Sequence, residues 1–288
     1  MKFGKIFYDF CRFFDWKRLF DDRIMDNKIF NDRYNFAPKI FKYWMKGKQD
    51  LADSTILDFG CDTGVMSLGL IHHCAPKRVI GVDINDNHKN LLSEASRHMD
   101  IDELPENIKF YVTSPNENLS DYFSKRTEID CIFSWSVFEY VSQPILKQMA
   151  TELYKTVRKG GYAFIQIAPL YYSAFGSHLD MLIPEPWVHL TTQLNLFQDY
   201  VLNADKVGPY ADEDDANFEK IKVALWSTFA TLNKITADEL IGLFTSSGFT
   251  LIDQFRSSCK VTPSASLTAV YNKDMLTTEQ VVGLFKKV

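Results

Sequence analysis

The stretch Ile56-Leu57-Asp58-Phe59-Gly60-Cys61-Asp62-Thr63-Gly64 decides the fold. A short apolar run ends in a glycine-bearing turn, and helix-forming sequence opens directly after it at Val65. A strand that empties through such a turn into a helix begins an open α/β sheet, and such sheets bind ligands at the carboxyl ends of their strands. Gly60 and Gly64 let the backbone approach a ligand with no Cβ in the way. Nineteen residues beyond Gly64, Asp83 closes the next strand, VIGVD. An acidic side chain there can accept both hydroxyls of a ribose.

Outward from this turn, strand and helix patterns alternate. Strands are predicted at Ile56–Phe59, Arg78–Asp83, Ile108–Val112, Asp130–Ser134 and Tyr162–Ile167. Helices are predicted at Val65–Cys74, Asn87–Met99 and Ile145–Val157, the last stopped by Gly160-Gly161. The alternation predicts an α/β chain with a Rossmann-like, doubly wound, mostly parallel sheet. It breaks over residues 168–235, where Leu190–Asn203 and Asn217–Phe229 read as helices around the acidic stretch Asp212–Asp215; this segment is expected to be an inserted helical cap. At Thr236 a capping box with Glu239 opens a helix that ends at Gly248. Phe249–Phe255 and Leu267–Tyr271 read as an antiparallel strand pair, and Thr277 with Gln280 as the capping box of a final helix. The organisation expected is an N-terminal helical segment (1–50, with a helix over Asp32–Lys46), a nucleotide-binding core (51–167), the cap (168–235) and a completion of the sheet (236–288).

Composition narrows the function classes. A chain of 288 residues with 46% hydrophobic residues can bury a sizeable core. A net charge of -5 argues against a nucleic-acid partner. The five cysteines are scattered and form no CxxC pair, so neither a disulfide framework nor a zinc site is expected, and a reducing cytoplasm fits. No apolar run reaches ~18 residues and no secretory signal is visible at the N-terminus, so no transmembrane segment is expected. Phe3–Phe20 interleaves aromatics with lysine and arginine. It reads as a helix packed on its own domain, or alternatively as a peripheral contact with the inner face of a membrane or with a partner protein.

Two ligand classes suit the glycine turn. Dinucleotides set a pyrophosphate against G-x-G-x-x-G, whereas this turn reads G-x-x-x-G with Asp58 and Asp62 in or beside it. Carboxylates there repel a diphosphate and favour the ammonium and sulfonium of S-adenosylmethionine (SAM). Taken together, ILDFGCDTG, VIGVDIN, DCIFSWSVFEYV and YKTVRKGGYAFIQ resemble, in order and spacing, the motifs of the class I SAM-dependent methyltransferases over Ile56–Ile167. The resemblance implies that Asp58, Gly60, Cys61 and Gly64 line the methionine and ribose side, that Asp83 binds the ribose and that Ile84 packs near the adenine. It also implies that Ser134 and Trp135 lie under the cofactor and that S-adenosylhomocysteine is the product. Arg33 and Tyr34 precede the first strand and are candidates to close over the methionine carboxylate.

Three positions depart from the family pattern. Asp62 stands where a middle glycine is usual, and its carboxylate could meet the SAM ammonium. No acidic residue follows the third strand, so Ser114 or Asn116 must take its place at the adenine. The frequent Glu-His pair after the fourth strand is Glu139-Tyr140.

On the acceptor side, Tyr140, Tyr171, Tyr172 and Trp187 are candidate substrate-binding residues, and His178, His189 and Glu139 candidate catalytic ones. A hydroxyl acceptor is a poor nucleophile, and a base contributes roughly 10²–10⁴-fold. The cap segment, with LNKIT at Leu232–Thr236, resembles caps of methyltransferases associated with bacterial glycan biosynthesis. The expected function is O-methylation of a glycan-type or other small-molecule acceptor. The rivals are a non-catalytic methyltransferase-fold module and, less favoured, an NAD-dependent oxidoreductase. The spacing of His178, Asp180, Glu185 and His189 matches no standard ligand set, so no metal is expected.

Overall fold

The computed structural model describes residues 28–114, 117–123 and 128–288. The aromatic segment Phe3–Phe20 and Asn116 lie outside the described residues. Seven strands form one sheet in the order β3-β2-β1-β4-β5-β7-β6. Their bounds are β1 Thr55–Phe59, β2 Arg78–Asp83, β3 Ile108–Val112, β4 Ile129–Trp135, β5 Val157–Ile167, β6 Thr250–Ser258 and β7 Thr278–Lys286. The first five run parallel, and β7 lies antiparallel between β5 and β6. The chain winds outward from β1 through β2 to β3, then returns to β4 on the other side of β1. The β1/β4 boundary is therefore the topological switch point, where two successive loops diverge and leave a crevice.

Helices α1 (Ala37–Met45) and α2 (Val65–Cys74) cover one sheet face, and α4 (Leu146–Thr156) with α7 (Ala237–Ser246) the other; α3 (Leu91–Met99) links β2 to β3. The period-2 alternation of the strands separates two cores. Ile56, Val79, Cys131, Phe133 and Phe164 pack against α1 and α2. Leu57, Ile80, Ile132 and Ile165 pack against α4 and α7. Central strands buried on both faces read as continuous apolar runs, which is why VIGVD and DCIFS stand out in the sequence. The described cysteines, Cys61, Cys74, Cys131 and Cys259, are all free thiols.

Before α1 the chain is helical from Lys28, with a π-helical stretch over Asp32–Phe36. Tyr34 and Asn35 are buried here, and the Asn35 amide donates to Asn31 Oδ1 at 2.7 Å. The segment is set close against α2: a Cβ at Gly69 would lie 2.1 Å from the Tyr34 carbonyl oxygen. Backbone cannot yield as a side-chain tip can, so Gly69→Ala is expected to lower stability by about 1–3 kcal/mol. Chemical denaturation checks this, and an unchanged midpoint would show that the two helices are not locked together.

The segment 168–235, expected to be the cap, holds α5 (Leu194–Leu202), α6 (Asp215–Thr231) and a short turn Val188–Thr191 around an apolar cluster that includes Leu179, Phe197, Val201, Phe218 and Phe229. The Asp214 carboxylate caps α6 by accepting from Asn217 N at 2.9 Å.

Two expectations at the C-terminus are corrected. Leu267–Tyr271 is not a strand; Ala265–Val270 is a helical turn capped by Ser264 Oγ, which accepts from Leu267 N at 3.3 Å. The segment from Thr277 does not open a helix, because Thr278–Lys286 is β7. Thr277 instead ends the turn Lys273–Thr277, its hydroxyl donating to Lys273 O at 3.0 Å. In β7, Val281, Val282, Leu284 and Phe285 are buried on both faces of the sheet, and a short continuous apolar run cannot be told from a buried helix by periodicity alone. Strand β5 also begins five residues before the predicted start. Val157 pairs with Ile129 and Tyr162 with Cys131, so Gly160 and Gly161 make a bulge within the strand and do not precede it.

Candidate functional site

At the switch point lies a cleft of about 1590 Å³, larger than the roughly 300–1,000 Å³ of ordinary single-ligand pockets. Its floor is built from the ends of β1, β2 and β4. Gly60 and Gly64 have φ of 78° and 81°, conformations that favour glycine. Gly60 N and Cys61 N donate to Val82 O at 2.9 and 3.1 Å, which binds the turn to β2. Asp62, in the middle-glycine position, has φ 45°. Aspartate tolerates this region better than most residues, and the turn is retained. Ser136, after β4, also stands at positive φ (51°). Such conformations persist only where surrounding contacts hold them, and they cluster at functional sites. Here Ser136 N and Oγ donate to Gln166 Oε1 at 3.0 and 3.1 Å.

The carboxylates of the turn have distinct positions. Asp83 Oδ2 accepts from Asp62 N at 2.8 Å and its Oδ1 from Asn85 N at 3.1 Å, which fixes the Asp83 carboxylate at the cleft floor. Asp62 Oδ2 meets Arg33 Nη1 at 3.0 Å, and its Oδ1 accepts from Asn87 at 2.8 Å. Arg33 also approaches Thr63 Oγ1 at 3.4 Å and is the one cation lining the cleft among the described residues. Asp58 lies behind the turn, 2% exposed, and accepts from Ser67 Oγ at 2.5 Å, tying β1 to α2. Burial pushes its pKa up to about 7, with the hydrogen bond from Ser67 lowering it and the charge of Asp83 raising it.

The other predicted residues divide between the cleft and its surroundings. Gly60, Cys61, Asp62, Asp83, Ile84, Ser114, Trp135 and Tyr140 line the cleft. Ile84 is exposed at its mouth. Cys61 is buried, which raises its thiol pKa well above the usual range. Trp135 stacks on Phe133 and Phe164 and meets Phe36 edge-on at 5.8 Å. Gly64 packs beneath the turn against Phe110. Ser134 is buried, its hydroxyl without a partner among the described residues. Tyr34 is buried and stacks on Phe30 at 5.8 Å. Tyr171, Tyr172 and Trp187 pack on one another and between the cap and the C-terminal segment: Tyr171 meets Tyr172 at 5.3 Å, Trp187 Nε1 donates to Tyr172 O at 3.1 Å, Tyr172 meets Tyr271 at 5.7 Å, and Trp187 packs with Leu267 and Leu276. None of these three lines the cleft.

His178 and His189 also stand outside the lining, in different roles. The Nε2 of His178 meets Pro169 O at 3.0 Å, a carbonyl that can only accept, so Nε2 carries the proton. Nδ1 is then the acceptor for the Tyr140 hydroxyl at 2.9 Å. Burial lowers the His178 pKa; Tyr140, 41% exposed at the cleft wall, is raised by partial desolvation and by the nearby Glu139, so both are neutral near pH 7. The chain thus runs from a cleft-lining phenol to a histidine fixed by the backbone. His189 Nε2 donates to Tyr171 O at 2.7 Å, and burial lowers its pKa to about 4. Glu139 is 2% exposed, and neither oxygen has a partner among the described residues. Burial raises its pKa to about 8, offset only in part by its own amide and the nearby Ser136 hydroxyl.

Several cleft residues escaped the sequence reading. Gln166 had a signal, a polar side chain interrupting the apolar run YAFIQIA. Thr228 and Thr231 of α6 line the cleft without any local signature, because the cap's docking is tertiary. Asn233, in the LNKIT stretch, staples the loop after β4: its amide donates to Phe138 O and, at 2.7 Å, to Val141 O, and its backbone N donates to Glu139 O at 2.9 Å. No group of three potential metal ligands occurs among the described residues. No described helix is long and apolar enough to cross a membrane.

Residues 56–161 match the family described as a methyltransferase domain. The chain is 42% identical to mouse protein arginine N-methyltransferase 2 over 52 residues, covering 17% of this chain and 12% of that protein. It is 27% identical to an uncharacterized methyltransferase of Schizosaccharomyces pombe over 126 residues, covering 43% of this chain and 40% of the other. The chain thus spans less than half the length of either relative. Among solved structures, a geranyl diphosphate methyltransferase in complex with SAM aligns with a TM-score of 0.50 and 12% identity, over 90% of this chain and 87% of that one. The fold is the class I, Rossmann-like methyltransferase fold.

Proposed function

We propose that this chain is a SAM-dependent methyltransferase that methylates an oxygen of a small-molecule acceptor, glycan-type acceptors included, and releases S-adenosylhomocysteine. The observation that carries the reading is Asp83, whose carboxylate is fixed by two backbone amides beside a glycine turn. Each of its oxygens retains capacity for a further donor, as a ribose diol requires. The donor set fits the rest of SAM. The carboxylates of Asp62 and Asp83 favour its cationic groups, Arg33, which pairs with Asp62 through Nη1, has further N–H donors for its carboxylate, and Ile84 offers an apolar surface to the adenine. A diphosphate would meet the two carboxylates instead. When bound, SAM supplies an electrophilic methyl group on a sulfonium.

The protein's own part is alignment, exclusion of water and removal of one proton. The acceptor hydroxyl donates to Tyr140 Oη. As the acceptor oxygen gains its methyl group, its proton passes to Tyr140, and the Tyr140 proton passes to His178 Nδ1. Nε2–H of His178 stays on Pro169 O throughout, which keeps the ring in the accepting tautomer.

Calorimetric titration tests the cofactor half. S-adenosylhomocysteine is expected to bind with 1:1 stoichiometry, and Asp83→Ala to weaken it about 10–10²-fold, the worth of lost charge-assisted hydrogen bonds. Unchanged affinity would remove the ribose from Asp83.

A further inference from the structure

The charges lining the cleft are segregated. Asp32, Arg33, Asp62 and Asp83 come from the N-terminal helical run, the β1 turn and the end of β2. The opposite half is built from the ends of β4 and β5 with the loops that follow them, α4, α6 and β7, and among the described residues it carries no charged side chain in its lining. Its surface alternates apolar groups (Val137, Ile145, Met149) with uncharged hydrogen-bonding ones (Gln166, Thr228, Thr231). The one carboxyl in this loop, Glu139, is turned out of the lining into a buried position.

We infer that the acceptor is an uncharged, largely apolar small molecule bearing a hydroxyl, held in this charge-free half with its hydroxyl at Tyr140. The inference rests on the methyltransferase reading and deepens it. A charged group moved from water into an uncompensated site loses hydration that nothing here restores, whereas a neutral hydroxyl needs one or two hydrogen bonds. An amine or guanidinium acceptor would call for a carboxylate beside the reacting atom, and an anionic acceptor for a cation. Arg33, the lining cation, holds its contacts to Asp62 and Thr63 on the cofactor side; its charge reaches Tyr140, where it eases loss of the phenolic proton, but it makes no contact in the opposite half. A neutral hydroxyl instead finds Tyr140 Oη, whose own proton is committed to His178 and whose lone pairs can accept. The apolar groups beside it suit a carbon skeleton.

The test uses three probes of one shape on the full chain saturated with S-adenosylhomocysteine: 2-naphthol, 2-naphthoate and 2-naphthylmethylammonium, titrated calorimetrically at pH 7. Naphthol is expected to bind at least tenfold more tightly than either ion, and Tyr140→Phe to weaken naphthol several-fold while leaving the ions unchanged. Equal or tighter binding of either ion overturns the inference, as does failure of all three probes on the loaded protein. Failure of S-adenosylhomocysteine itself to bind, measured first, counts against the methyltransferase reading, with the probe series then run on the free protein to judge the charge-free half by the same criteria.

Discussion

Replacing Tyr140 with phenylalanine is expected to lower the turnover of labelled methyl transfer into the acceptor fraction of a lysate by roughly 10²–10⁴-fold, the worth of a positioned proton acceptor. The substitution is narrow. The Tyr140 ring meets His178 edge-on at 5.5 Å, and phenylalanine keeps that contact, so the cap should dock as before while the hydroxyl that carries the proton is lost. Cofactor affinity should not change, because Asp83 and the glycine turn belong to the other half of the cleft. The pH profile separates a proton relay from a packing role. His178 must be neutral to accept, and burial lowers its pKa below the ordinary histidine value. Activity is therefore expected to rise with pH along an acidic limb lying below ~6.5 and to be flat through neutrality. Tyr140→Phe should abolish that limb together with the rate. A variant that retains full turnover, or that loses rate with the limb intact, would leave the pair a structural hinge between the cap and the loop after β4.

How much of this was legible in the sequence follows from where the information lies. The βα turn at Gly60–Gly64, the closing Asp83 and the doubly buried strands β1, β2 and β4 are local patterns, and local patterns survive in a linear chain. The last strand was not legible for a related reason: VVGLF is buried on both faces, so neither strand alternation nor a helical stripe is visible, and a misleading T-x-x-Q at its start tipped the reading. The half of the cleft proposed for the cofactor has a local signature in the sequence, because one turn and two strand ends build it. The half proposed for the acceptor has none, because it is assembled from α4, α6 and loops far apart in the chain. His178 drew attention as a histidine near the cleft. Its link through Tyr140 depends on residues 38 positions apart, which no spacing rule reveals. The aromatics of the cap read as a binding surface, yet Tyr171 packs with the cap cluster while Tyr172 and Trp187 pack against the C-terminal segment, at Tyr271, Leu267 and Leu276.

Glu139 carries the second large effect. A carboxyl 2% exposed with no partner among the described residues is held neutral by burial, with its pKa raised to about 8. In the unfolded chain it titrates near ~4.3. Because the folded value is the higher one, its contribution to stability is fully present below the unfolded pKa and is lost as pH rises from there through the folded pKa. Between pH 5 and pH 8 this amounts to a loss on the order of 3 kcal/mol. Asp58, raised to about 7, acts in the same direction. His189, lowered to about 4, acts oppositely: its contribution is present above ~6.5 and is lost as pH falls toward the folded value. Glu139→Gln removes one carboxyl and keeps its shape, so urea denaturation should show the variant close to the parent at pH 5 and more stable by about 2–3 kcal/mol at pH 8. An equal pH 5-to-8 difference in parent and variant would mean that Glu139 reaches water or a cation in solution. The cost falls in the loop that Asn233 staples and that presents Tyr140 to the cleft. Stability given up there at neutral pH is what a site under functional constraint would show.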